Sequence, residues 1–463
     1  MDGTALDTLR GTVRGEVFGP RDEGYDAART LYNAMVDTRP AAIVRAADTA
    51  DVRTTVRFAR DHDIAFGVLG GGHSGAGLGL IEDGLTLDLS GGLRWVHIDP
   101  AGPAALVGGG ARIGDLDHAA HGFGLGVPSG IMSTTGVGGL TLGGGHGHLT
   151  RALGLTVDSL LGADVVLADG TYVTASPEQH PELFWALRGG GGNFGVVTSF
   201  RFRLRPVDTV GLGVTVWEPD RIGDVVRWYR EFVPAAPRTL NGFFATLTID
   251  PEPPFPEELY GRKVCAVVWC YTGPHPDEDT LTEVFAPVNE AAPPAFHFAT
   301  PIPYPALQAM FDHLIPKGLQ WYWRGDFFDR ITDEAIDVHA TYLDALPTEQ
   351  STMHLYPVDG AAHDVGPDAT AWAYRDALWS GVIGGIGATP AEAEPVKKWC
   401  VGYWDALHPH SMGGAYVNFI GADESRDRVR ATYRGHYDRL ARIKAEYDPD
   451  DFFRGTQHIP PAS

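Results

Sequence analysis

The first two hundred residues switch repeatedly between the two-residue rhythm of strands and the 3.6-residue rhythm of helices. Residues 41–44 are a short apolar run that predicts a strand. Behind it Val52, Val56 and Ala59 recur at helical spacing, with Thr49 placed as the N-cap. Residues 64–69 return to strand character and complete a strand–helix–strand unit. Leu85, Leu87 and Leu89 alternate with Thr86 and Asp88, the pattern of a half-buried strand. Residues 165–168 and 171–173 flank Asp169-Gly170, the turn of a hairpin. Ser176 followed by Pro177 predicts a capped helix start with proline at its first position.

Beyond about Pro206 glycine thins out and aromatic residues gather, among them Trp217, Trp228, Tyr229, Trp269, Tyr271 and the run Trp321-Tyr322-Trp323. Residues 264–271 alternate as a strand, which suggests a sheet with helices on one face. The proline-rich residues 251–256 must be a loop. Residues 433–453 are helical in pattern and close on Phe452-Phe453-Arg454.

Glycine then changes the picture. Residues 68–75 read Val-Leu-Gly-Gly-Gly-His-Ser-Gly, residues 136–147 read Gly-Val-Gly-Gly-Leu-Thr-Leu-Gly-Gly-Gly-His-Gly, and residues 189–195 read Gly-Gly-Gly-Gly-Asn-Phe-Gly. Adjacent glycines let backbone N–H groups close on a bulky anion, because no Cβ blocks the approach. Gly70, Gly72 and Gly75 formally satisfy G-x-G-x-x-G, but in a nicotinamide-dinucleotide site the last glycine opens a helix. Here Ala-Gly-Leu-Gly-Leu follows, which is poor helix material. Three such blocks within ~130 residues exceed what turns need at an average glycine usage of ~7%. They point to one extended cofactor lying against backbone at several places.

Charge narrows the partners. Lys and Arg number 36 against 59 Asp and Glu, a formal net charge of −23. That balance argues against nucleic acid, whose binding draws on cations, and against anionic membranes. No run near the ~20 apolar residues of a membrane span exists. The N-terminus has neither a basic start nor an apolar core, so a cytoplasmic protein is expected. Cys265, Cys270 and Cys400 are too few and too irregular for a disulfide framework or a zinc site, and no metal is expected.

With its glycine blocks in this order, the chain resembles the berberine bridge enzyme family of the vanillyl-alcohol-oxidase superfamily of flavoproteins. The marks are Gly-Gly-Gly-His-Ser at 70–74, Thr-Gly-Val-Gly-Gly-Leu-Thr-Leu-Gly-Gly-Gly at 135–145, and Glu-Leu-Phe-Trp-Ala-Leu-Arg at 182–188 leading into residues 189–197. Tyr-Val-Asn at 416–418, Phe-Phe-Arg at 452–454 and Gln-His-Ile-Pro-Pro at 457–461 complete the set. The resemblance implies an α+β fold in which a two-lobed FAD-binding domain (1–206 plus 415–463) carries an inserted sheet-and-helix substrate domain (207–414). Gly70, Gly71, Gly72 and Ser74 would cradle the pyrophosphate, preceded by Leu69 where relatives often carry arginine. Gly136, Gly138, Gly139, Gly143, Gly144, Asn418 and Gln457 would complete the cofactor's walls, and Val196 and Val197 would run beside the adenine.

In the family the motif's histidine is bonded covalently to the flavin 8α-methyl group, a role that falls on His73. Some members add a second bond through a cysteine, but Met132 stands at that position and no cysteine precedes residue 265. One covalent bond is therefore expected. His146 and His148 stand where large apolar residues are expected. They are either packed or hydrogen-bonded, or one of them reaches the flavin and tunes its charge state. By family position Tyr416, on a strand returning to the flavin, is the candidate base. An ordinary phenol, with a pKa near ~10, needs help from its surroundings to act so. A loose alignment brings His363 and Asp364 to a second acid/base position on a strand of the substrate domain. Trp321, Tyr322 and Trp323 either line a substrate pocket or belong to the core. The function implied is an FAD-dependent oxidase of a small alcohol, sugar or secondary metabolite, using molecular oxygen. Oxidative cyclisation, amine oxidation, and flavin binding without turnover are the alternatives.

Overall fold

A computed structural model describes residue 1 and residues 3–462. The glycine-rich half builds two sheets. The first has four strands in the order Glu16–Phe18, Ala42–Arg45, Leu85–Asp88, Phe66–Leu69, parallel except for the edge strand Glu16–Phe18. The helix Thr49–Asp61 crosses between Ala42–Arg45 and Phe66–Leu69 with Val52, Val56 and Ala59 buried. Its N-cap is Asp48 rather than Thr49, because the Asp48 carboxylate accepts from the N–H groups of Ala50 and Asp51. Leu85–Asp88 is buried at every position, not on one face, as befits a parallel strand covered from both sides.

The second sheet is antiparallel, ordered Val96–Asp99, Ala104–Gly108, Val196–Arg203, Leu160–Val166, Tyr172–Ala175. Its last two strands are the hairpin expected around Asp169-Gly170. The helix expected at Ser176 starts later. Ser176 Oγ accepts from the N–H groups of Glu178 and Gln179 in a local turn, and the helix Pro181–Leu187 begins after His180, at φ 50°.

The aromatic-rich middle folds into one antiparallel sheet of seven strands. Their order is Phe296–Pro303, Thr209–Trp217, Lys263–Tyr271, Leu240–Thr248, Thr352–Pro357, Trp379–Gly387, Gln320–Phe328. Alternate residues face opposite sides. Trp217, Phe244, Val267 and Trp269 pack beneath the helices Ile222–Ala235, Asp333–Asp344 and Ala393–Leu407. Val216, Phe243, Val268 and Tyr356 face the other way, where Leu149 and Ile131 of the glycine-rich half meet them.

The tail returns to the first half. Leu440 and Ile443 of the helix Tyr437–Tyr447 enter the same core as Leu183 and Leu187. Phe452 stacks on Phe66 at 5.1 Å. Lys444 is fully buried, donates to the carbonyls of Asn193 and Phe453, and pairs with Asp448. Buried ion pairs fasten the middle to the glycine-rich half: Arg151 to Asp359 at 2.8 Å and Arg375 to Asp158 at 2.6 Å. Removing one partner of such a pair costs about 3–5 kcal/mol. Among the described residues, no helix is long and apolar enough to cross a membrane.

Candidate active site

Where the first two sheets, the large sheet and the tail converge lies a cavity of about 390 Å³. Leu69, Gly70, Gly71, Gly72, His73 and Ser74 enter it directly after the strand Phe66–Leu69. Gly136, Gly138, Gly139, Val196, Val197, Asn418 and Gln457 continue the wall. The glycines have two separate physical jobs. Gly71 and Gly136 let two backbones touch, since a Cβ on Gly71 would lie 2.3 Å from the Gly136 nitrogen. Gly139 leaves room, since a Cβ there would meet nothing within 4 Å.

The backbone N–H groups of Gly70 through Ser74 donate to no acceptor within the described protein. A row of free amide donors on a loop without bulky side chains is a cradle for an anion such as a diphosphate. Among the described residues no Asp, Glu, Lys or Arg lines the cavity, so these amides are the donors that would meet that charge on the wall itself. The walls thus fit the cofactor that the resemblance implies.

His73 sits at the end of this loop. Its ring stacks on Tyr32 with centroids 4.0 Å apart, and its Nδ1 lies 3.4 Å from Thr135 Oγ1. Burial, with Arg112 and Lys317 acting in the same sense, pulls its pKa down to about 3. The imidazole is therefore neutral at physiological pH and carries a free lone pair. Met132 lines the same cavity. Cys265, Cys270 and Cys400 are buried in the cores of the large sheet, their thiols pushed up to about 12 by burial.

Tyr416 lines the same cavity, not on a strand but just before the single 3₁₀ turn Val417–Phe419. Its oxygen accepts from the Gly145 N–H at 3.1 Å and from Asn418 Nδ2 at 2.8 Å. Both bonds favour the phenolate, yet burial outweighs them and pushes the pKa well above the ordinary range. His146 also lines the cavity, 4.6 Å from the Tyr416 ring. It is nine-tenths buried or more, and neither ring nitrogen has a partner among the described residues. His148 is buried with both nitrogens equally unpartnered, but it packs toward Phe243 and lies outside the cavity.

Residues 40–176 match the family described as FAD binding domain, and residues 415–460 match the family described as Berberine and berberine like. An uncharacterized FAD-linked oxidoreductase of Bacillus subtilis is 30% identical over 458 residues, 97% of each chain. The chain belongs to the berberine bridge enzyme-like FAD-linked oxidoreductases. (R)-6-Hydroxynicotine oxidase of Paenarthrobacter nicotinovorans is 40% identical over 209 residues, 45% of each chain. The solved glucooligosaccharide oxidase of Acremonium strictum superposes with a TM-score of 0.86 at 24% identity, covering 99% of this chain and 100% of that one. The mixed helix-and-sheet fold is accordingly of the vanillyl-alcohol-oxidase type.

Several residues expected in the site of this flavoenzyme lie elsewhere. Gly143 and Gly144 stand behind the wall: a Cβ on Gly143 would strike Asn418 Nδ2 at 2.5 Å, and one on Gly144 would strike Trp372 at 2.6 Å. His363 and Asp364 lie in the 3₁₀ helix Gly360–Asp364, not on a strand. His363 is bonded to the Ala377 carbonyl, and Asp364 is an exposed partner of Arg238. Trp321 and Trp323 do line the cavity, but Tyr322 lies between them on one strand and must face away, where Asp423 accepts its hydroxyl at 3.0 Å.

The residues that do face the cavity from the Thr352–Pro357 strand are Thr352, His354 and Tyr356. His354 Nδ1 and the Tyr356 hydroxyl share a hydrogen bond of 2.6 Å, and burial holds the imidazole neutral with its pKa down to about 4. Sequence reasoning missed this pair. The alternation Thr-Met-His-Leu-Tyr, polar on one face and apolar on the other, was the signal for it.

Proposed function

We propose that this flavoenzyme is an oxidase that holds FAD through one covalent bond to His73 and oxidises a small alcohol with molecular oxygen. On this reading residues 1–206 and 415–463 form the flavin domain and 207–414 the substrate domain. The observation that carries it is the neutral imidazole of His73 at the end of a loop whose amide N–H groups are all free. A neutral nitrogen has the lone pair that a bond to the 8α-methyl carbon requires. The glucooligosaccharide oxidase named above carries a 6-S-cysteinyl, 8α-N1-histidyl FAD. Met132 offers a thioether and no thiol, so the histidyl bond alone is proposed here.

Bound FAD supplies the hydride acceptor and passes the electrons to oxygen. The protein's part is to place the substrate, keep water out and handle one proton. Tyr416 orients the substrate hydroxyl: its oxygen is fixed by Asn418 and Gly145, and its burial keeps the proton on the phenol for donation. Asn418 in turn donates to the Gly139 carbonyl at 3.2 Å, which ties the catalytic tyrosine to the second glycine block. Trp321, Trp323 and Phe419 wall off the substrate side. A screen of alcohols for hydrogen peroxide release, run beside a denaturing gel read under ultraviolet light, tests both parts. A chain that keeps flavin fluorescence on the gel and releases peroxide from an alcohol meets the proposal; a chain that does neither refutes it.

A further inference from the structure

We infer that Tyr32 is a positioning residue for the attachment of FAD: clamped in place beside Asn33, its ring fixes the plane of the His73 imidazole for bond formation. This deepens the oxidase reading and rests on its covalent bond to His73. The loop itself cannot supply that order. His73 follows three glycines, whose backbone is the least constrained of any residue. The N–H groups of Gly70 through Ser74 make no bond within the described protein, so that side of the loop carries no internal restraint.

The restraint comes from the carbonyl side. The Tyr32 N–H donates to the Gly72 carbonyl at 3.0 Å and Asn33 Nδ2 to the Gly75 carbonyl at 2.8 Å, so the two bonds bracket His73. Between them the Tyr32 ring lies on the imidazole, with centroids 4.0 Å apart and planes 21° from parallel. Both rings border the cavity. Residues 32–34 belong to no helix or strand, so their own position must be set from outside.

Residues 315–321 of the aromatic-rich half set it. The Tyr32 hydroxyl donates to the Ile315 carbonyl, the Gly318 N–H to the Tyr32 carbonyl at 3.1 Å, and the Ala34 N–H to the Leu319 carbonyl at 2.9 Å. Asn33 Oδ1 accepts from the Trp321 N–H at 3.0 Å while Nδ2 donates to the Trp321 carbonyl at 2.9 Å, as a neighbouring strand would. The Met35 N–H and the Gly75 carbonyl take the other two hydrogen-bonding positions of the Asn33 amide, which leaves it saturated. Past His73 the loop presses on the same half, since a Cβ on Gly75 would lie 2.3 Å from the Trp323 ring. Tyr32 is thus held at its N–H, its carbonyl and its hydroxyl, and the one face it presents goes to the histidine. Filling space would need none of those three bonds.

Attachment joins an imidazole nitrogen to the 8α-methyl carbon. One N–H and one C–H bond break, and their two hydrogens and two electrons pass to molecular oxygen. Histidine, FAD and oxygen become the adduct and hydrogen peroxide. The nitrogen must meet the carbon in line, and a misplacement of about 1 Å in such a step costs about 10²-fold. Leucine at position 32 removes the ring and frees the imidazole to turn about its side-chain bonds. Phenylalanine keeps the stack and gives up only the bond to Ile315.

The test uses the full chain produced without flavin in a riboflavin-starved host and mixed with excess FAD in air. Binding is read from quenching of FAD fluorescence, folding from circular dichroism, and attachment from the intact mass of samples denatured at successive times. Wild type and Y32F are expected to attach FAD at comparable rates, whereas Y32L is expected to bind FAD and attach it at least ~10-fold more slowly. Y32M, which refills the site without a ring, replaces Y32L if that chain does not fold. Attachment at the wild-type rate in the variant without a ring overturns the inference, and so does a Y32F chain that binds FAD but attaches it ~10-fold more slowly than wild type. A wild-type chain that binds FAD and never gains its mass overturns the His73 reading itself, and this inference with it.

Discussion

Replacing Tyr416 by phenylalanine separates what the phenol does for the fold from what it does for the reaction. The change removes one oxygen, whose two donors are the Gly145 N–H at 3.1 Å and Asn418 Nδ2 at 2.8 Å. Asn418 keeps its bond to the Gly139 carbonyl at 3.2 Å and loses one N–H partner, and the buried Gly145 N–H loses the acceptor it has. An unsatisfied buried donor costs about 1–3 kcal/mol, which lowers the apparent Tm modestly and leaves flavin in place. On the proposed role, loss of the group that holds the reacting hydroxyl costs more in rate than in stability. General acid–base assistance contributes ~10²–10⁴-fold, so flavin reduction should slow by at least ~10-fold. The assay is anaerobic stopped-flow bleaching of the flavin by the alcohol that turns over best, beside a thermal scan of the same preparations. Reduction at the wild-type rate, in a variant with full flavin content, would refute the role of Tyr416.

Three further outcomes follow from particular side chains. Asp117 is buried with Gln308 Nε2 at 3.3 Å and no cation, and burial lifts its pKa from the ordinary 3.8 to about 8. The folded carboxyl stays protonated where the unfolded one ionises, so its contribution to stability is full below about pH 4 and is lost as pH rises toward 8. D117N should therefore melt above wild type at pH 8, with the difference shrinking toward pH 4; a pH-independent difference contradicts this. In G71A the new methyl group meets the Gly136 backbone, and overpacking of about 1–3 kcal/mol should lower the flavin-to-protein absorbance ratio. D364A should leave kcat/KM for the same alcohol unchanged, because that exposed carboxylate reaches only Arg238.

The glycine blocks were legible in the sequence because glycine leaves few alternatives: backbone must touch backbone, or something large must lie against it. Gly71 and Gly139 illustrate one case each. That logic does not say which of the two applies, which is why Gly143 and Gly144 were expected on the wall and stand behind it. Strand faces were the harder part. Trp321, Tyr322 and Trp323 cannot all share a face, and the pleat assigns the two tryptophans to the cavity and Tyr322 to Asp423. The same alternation puts His354 and Tyr356 into the site, whereas His363 and Asp364, further along the chain, fall in a 3₁₀ helix outside it. The helix start at Pro181 was hidden because Ser176 spends its oxygen on a turn that only resembles a cap. Asn33 had no sequence signal at all. Its buried side chain bonds the carbonyls of Gly75 and Trp321, the latter 288 residues away along the chain.

The proposed covalent bond to His73 is tested most directly by the intact mass of the denatured chain. Wild type is expected to be heavier than its polypeptide by one FAD less two hydrogens, with a single attachment because Met132 cannot supply a second. H73A is expected at the polypeptide mass. A flavin adduct that persists on H73A, or a wild-type chain that releases all its flavin on denaturation, would contradict the assignment.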